Sequence, residues 1–141
     1  MKGRVSGLVA LVVVVGACSG TTTTTTGEIS DPFGPPFGVE AAARDFEFIP
    51  SSWTVPSNAL LVVDFENEGT VEHFFAIIEG PHVDSAADLD RSLIFRELGV
   101  GPGATTSDTF LAPTEPGSYQ VICTVAGHLE AGMTAKLIVE G

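Results

Sequence analysis

The sequence predicts an all-β fold, a Greek-key β-sandwich of seven or eight strands, over residues 43–141. Three observations carry that expectation. Apolar and polar residues alternate with a period of two from Arg44 onward. The 16 glycines and 9 prolines fall in clusters that interrupt any continuous element. Only Pro81 to Arg91 offers room for helix, one turn near Ser85 to Leu89. Short strands with corners between them pack as a sandwich, with a barrel as the alternative closure.

The segments before the domain read differently. Lys2 and Arg4 precede the apolar run Leu8 to Val15, which ends at Gly16 and Ala17. This run is far short of the roughly 20 residues that cross a bilayer, and its flanks are those of a signal peptide over residues 1–17. Val15-Gly16-Ala17-Cys18 has the form of a bacterial lipobox, so Cys18 is the expected lipidation site and the new N-terminus. The plainer reading is an ordinary leader that leaves Cys18 as an incidental thiol. Residues 18–42 contain Thr21 to Thr26 and then Asp31-Pro32-Phe33-Gly34-Pro35-Pro36-Phe37-Gly38, which lack a core-forming pattern. They are expected to form a lipid-anchored linker in which Phe33 and Phe37 are incidental aromatics.

Within the domain, Phe46 and Phe48 are expected on one face. Leu61, Val63 and Phe65 share a face opposite Asp64 and Glu66, and Asn67-Glu68-Gly69-Thr70 supplies a turn. Phe74, Ala76 and Ile78 then alternate with His73, Phe75 and Ile77. Corners follow at Gly99-Val100-Gly101-Pro102-Gly103 and Pro113-Thr114-Glu115-Pro116-Gly117. Tyr119, Val121, Cys123 and Val125 form one further set, and Met133, Ala135, Leu137 and Val139 the last.

Composition limits the partners. Eighteen acidic against six basic side chains give a formal charge of −12. Removing residues 1–17 deletes two bases and no acid, taking it to −14. Such a chain is repelled by nucleic-acid backbones and anionic lipid surfaces, so neither is an expected partner, and membrane association would come through the anchor only. Two cysteines supply neither a disulfide framework nor a four-thiolate metal site.

The chemistry concentrates in Cys123-x4-His128-x4-Met133, a thiolate, an imidazole and a thioether in one loop between two strands. Soft sulfur and borderline nitrogen donors favour copper, and two histidines, one cysteine and a distant axial methionine make a mononuclear electron-transfer site. The second histidine must come from elsewhere. His73 follows a turn and opens a strand, whereas His82 sits in a loop and is expected to be exposed and non-ligating. Taken singly, His73 is a strand-end histidine, Met133 core filler and Cys123 a small buried hydrophobe; their joint spacing is what points to a metal.

Asn67-x-Gly69-x3-His73-Phe74 followed by Cys123-x4-His128-x4-Met133 resembles the cupredoxin family of small blue copper proteins, over roughly residues 44–141. The loop length is similar to those of auracyanins, rusticyanin and sulfocyanin. The resemblance implies one type 1 copper ion with His73, Cys123 and His128 equatorial and Met133 axial. It also implies an electron route through the ring edge of His128, within an apolar collar of Ala126, Leu129 and Ala131. Many family members place Asn or Ser after the first histidine, where this chain has Phe74.

The expected function is therefore a membrane-tethered extracytoplasmic electron carrier cycling Cu(II) and Cu(I), not an enzyme, since three histidines cannot also supply a catalytic copper cluster. A copper-trafficking or copper-storage lipoprotein is the alternative. The expected partners are redox proteins, such as a cytochrome or a terminal oxidase, and Asp84, Asp88 and Asp90 are candidates for steering a basic one. A monomer held on the periplasmic or outer face by lipidated Cys18 is expected, or else a soluble periplasmic or secreted form.

Overall fold

The computed structural model describes residues 34–141. The expected signal peptide 1–17, Cys18, Phe33 and most of the expected linker lie outside the described residues.

Nine strands form two sheets. The first sheet has the order β2 (Glu47–Ile49), β1 (Phe37–Arg44), β4 (Leu60–Asn67), β7 (Thr105–Leu111). The second has the order β3 (Ser52–Pro56), β9 (Thr134–Glu140), β8 (Gly117–Ile122), β5 (His73–Ile78), β6 (Ile94–Val100). The β1–β4 and β3–β9 pairs are parallel and the other pairs antiparallel.

The alternation in sequence becomes the two faces of each strand. In β4 Leu61, Val63 and Phe65 are buried while Asp64 and Glu66 face solvent. In β9 Ala135, Leu137 and Val139 are buried between exposed Thr134, Lys136, Ile138 and Glu140. The inner faces meet around Phe75, whose ring lies 5.9 Å from Phe48, 5.2 Å from Trp53 and 5.7 Å from Phe65. Fully burying one such side chain stabilises the fold by about 1.5–3 kcal/mol. The Trp53 indole N–H donates to the Glu40 carbonyl at 2.8 Å, so its burial leaves no donor unpaired.

β5 is buried on both faces. Phe75 and Ile77 join the main core, while Ala76 and Ile78 join a second cluster with Val83, Ile122 and Leu129. The loop after β5 closes over this second face and carries two 3-10 turns, the expected one at Ala86–Asp88, capped by the Ser85 hydroxyl, and a second at Arg91–Leu93. The first candidate ligand, His73, thus opens a strand that is gripped from both sides.

Three expectations need correction. β1 begins at Phe37, so residues 37–42 belong to the sheet and not to the linker. Val39, Ala41 and Ala43 have modest side chains, but their parallel register against Leu61 to Asn67 buries them. With this strand and the short β2 the count is nine, above the expected seven or eight. Finally, Phe46 does not share a buried face with Phe48: Asp45-Phe46 is a turn, Phe48 is buried and Phe46 is exposed.

Candidate metal centre

The site lies at one end of the sandwich, where a turn and a loop converge. β4 ends at Asn67, whose buried side-chain amide donates to the carbonyls of Val71 at 2.7 Å and Val100 at 3.0 Å. Its carbonyl accepts the Gly69 N–H at 2.8 Å. The turn is thereby wrapped around one buried polar side chain, and it delivers His73, itself 0% exposed, to the first position of β5.

Opposite, β8 ends at Ile122 and β9 begins at Thr134, with the predicted ligand loop between them. The Cys123 N–H donates to the Met133 carbonyl at 3.2 Å, pinning the two ends together. Inside, His128 N–H bonds Val125 O, Ala131 N–H bonds Gly127 O and Met133 N–H bonds His128 O. Gly127 and Gly132 adopt φ of +84° and +98°, which L side chains rarely tolerate.

These two segments bring together residues fifty positions apart. Cys123 Sγ lies 3.9 Å from His73 Nδ1 and 3.4 Å from His128 Nδ1. All three candidate ligand atoms fall within 4.8 Å of one another, and all three residues are buried. Met133 is also fully buried and closes the loop beside them in the main core. His82 does not join: it is exposed, in the loop after β5, and its Nε2 pairs with Asp84 at 3.3 Å.

Phe74 stands where a polar residue was the family expectation, and the backbone makes the tie between the two ligand segments. Its N–H donates to Cys123 Sγ at 3.4 Å. Its ring packs against Gly99 on β6, where an added Cβ would come within 2.5 Å of it.

The local chemistry suits a soft or borderline metal. Burial pushes the Cys123 thiol up, only partly offset by the N–H groups of Phe74 and Val125. A metal must therefore displace its proton, and the buried cation would replace a proton on sulfur. Burial also holds His128 below the ordinary imidazole value, with His73 adding to the effect, which keeps its ring lone pair available. Two imidazoles and one thiolate fit copper better than magnesium or calcium, which take oxygen ligands.

Sequence reasoning missed two neighbours. Asp45, in the turn between β1 and β2, accepts from His73 Nε2 at 2.9 Å and from the Thr70 hydroxyl at 2.6 Å. The Thr70 hydroxyl and N–H, followed by His73, hold its carboxyl down to about 2. The Phe46 ring stands against His128 edge-to-face, with centroids 4.7 Å apart. Neither has a sequence signal, because both reach the site only through the pairing of β1 with β4.

A family model described as copper binding proteins, plastocyanin/azurin family, matches residues 37–140. Auracyanin-B of Chloroflexus aurantiacus is 30% identical over 119 residues, covering 72% of this chain and 50% of that protein. The chain thus spans about half the length of that curated relative. Among solved structures, reduced auracyanin of Roseiflexus castenholzii is similar with a TM-score of 0.65 and 28% identity, covering 74% of this chain and 97% of that one. Auracyanin A of C. aurantiacus, described as a "blue" copper protein, has a TM-score of 0.66 and 26% identity, covering 75% and 100% respectively.

Proposed function

The chain belongs to the plastocyanin/azurin family of copper-binding proteins, and from that premise we propose that it is an extracytoplasmic one-electron carrier and not an enzyme. We assign its single type 1 copper to a site that His73, Cys123, His128 and Met133 would hold. The observation that carries this reading is the convergence of three buried ligand atoms within 4.8 Å, drawn from both halves of the domain.

Copper held there would supply one-electron chemistry through its Cu(II) and Cu(I) states. The protein's part is to keep the ligands still between the two. The Cys123–Met133 hydrogen bond pins the ends of the loop, Asn67 fixes the turn before His73, and Phe74 N–H holds the sulfur from outside the loop. Burial of the whole set excludes water, which would otherwise reorganise as charge changes.

His128 is the ligand nearest the surface, 8% exposed, with the exposed Phe46 ring against it. Their shared edge is the reading's docking point for a donor or acceptor. The acidic balance suits a basic redox protein, for example a cytochrome. Asp84, Asp88 and Asp90 are less suited to docking, since Asp84 pairs with His82 and Asp90 caps the short turn at Arg91–Leu93.

The experiment is a visible spectrum after copper addition to the purified protein. Intense thiolate-to-copper absorption is expected, and Cys123→Ser should abolish it. Colourless copper uptake would favour trafficking or storage, and no uptake would end the copper reading. The tether through lipidated Cys18 is part of the same proposal, and an unacylated mature N-terminus in mass spectra of the membrane fraction would overturn it. No helix among the described residues is long and apolar enough to cross a membrane.

A further inference from the structure

A carboxylate from the turn that ends β1, on the opposite sheet, reaches Nε2 of buried His73. The parallel register of β1 on β4 ends at Ala43 against Asn67, so Asp45 lies beside the turn that follows Asn67. The approach is fixed at several points. Glu68 N–H donates to Ala43 O at 2.9 Å, Arg44 pairs with Glu68 at 2.6 Å, and Thr70 gives Asp45 both its N–H and its hydroxyl. The remaining donor is His73 Nε2 at 2.9 Å.

Gly69 shows how closely the pair is enclosed. A Cβ there would overlap Asp45 Oδ1 and lie 2.9 Å from His73 Nε2. The glycine leaves room for the carboxylate and the ring edge together.

A neutral imidazole carries one N–H. An ionised carboxylate can only accept, so the N–H belongs on Nε2 and the lone pair on Nδ1, the atom 3.9 Å from Cys123 Sγ. We propose that Asp45 is the positioning residue of His73, fixing the Nε2–H tautomer and ring orientation before metal arrives and strengthening Nδ1 as a donor. This rests on the copper reading for its consequence but not for its geometry. A more basic imidazole favours Cu(II) over Cu(I), so Asp45 lowers the midpoint potential.

The test compares the wild type with D45A, D45N and E72Q. Glu72 adjoins His73 in the chain and is exposed, so E72Q removes a nearby charge without touching the ring hydrogen bond. In the metal-free proteins, nitrogen chemical shifts of His73 should report Nε2–H in the wild type and E72Q, and a mixture of tautomers in D45A. In the copper-loaded proteins Cu(II) affinity should fall about 10–100-fold in D45A. Each tenfold loss specific to Cu(II) raises the midpoint potential by about 59 mV for one electron. D45N removes the charge with little change of shape, and its potential should rise more than that of E72Q. An unchanged tautomer in D45A, or a potential in D45N no higher than in E72Q, would overturn the proposal. Should D45A fail to fold, the D45N comparison decides alone. Should the wild type bind no copper, the copper reading fails while the tautomer measurement still judges Asp45.

Discussion

Phe46 exposes a large apolar ring beside a functional imidazole, a placement that has a cost in water and a use at the site. Its ring meets His128 at 71° between planes, the edge-to-face geometry that aromatic pairs favour. By covering His128 it contributes to the burial that disfavours the protonated ring. The sign follows directly: removing the cover admits water, stabilises the imidazolium and raises the pKa toward the ordinary 6.5. Phe46→Ala should therefore titrate His128 at higher pH in the metal-free protein, as followed by proton NMR of the ring. A pKa unchanged or lower in that variant would show that the rest of the loop, not Phe46, sets the environment.

Elements differ in how plainly the sequence announces them, and the difference is physical. β4 and β9 alternate large apolar with charged residues, so their buried faces can be read from local pattern alone. Cys123, His128 and Met133 were legible because one contiguous segment holds them, but β8 ends at Ile122 and β9 begins at Thr134, so Cys123, Val125 and Met133, expected on the flanking strands, belong to the loop. β1 was hidden because Ala41, Ala42 and Ala43 carry little apolar contrast and follow a stretch rich in proline. Its burial comes from parallel pairing with β4, a non-local contact that no window of residues encodes. Asp45 and Phe46 inherit that concealment, since they are placed by the end of β1. The segment after β5 adds a further layer: Leu129 of the ligand loop packs with Val83, and Glu130 accepts from the Ser85 hydroxyl at 2.8 Å and Ala86 N–H at 3.1 Å. Thr124, beside the thiol, likewise donates to Glu97 at 2.7 Å. The ligand loop is thus held from outside by two carboxylate contacts as well as from within.

At the scale of the whole molecule the formal charge of −12 is the dominant long-range feature. Among the described residues Arg44, Arg91 and Arg96 are each paired with a carboxylate, Glu68, Glu97 and Asp108, and Lys136 is the one remaining base set against the unpaired acids. Those pairs cancel locally, leaving a field made by the unpaired acids. Its reach is set by salt, about 30 Å at 0.01 M and about 8 Å at 0.15 M. Short-range contacts at Phe46 and His128 do not vary in this way, so ionic strength separates steering from docking. The rate of electron exchange with a basic redox protein, measured by stopped flow, should fall by on the order of tenfold or more between those salt concentrations. With an acidic redox protein the same change should raise the rate, because screening then removes a repulsion. If both partners respond to salt in the same direction, the summed charge is not guiding the encounter, and the acidic surface serves solubility alone.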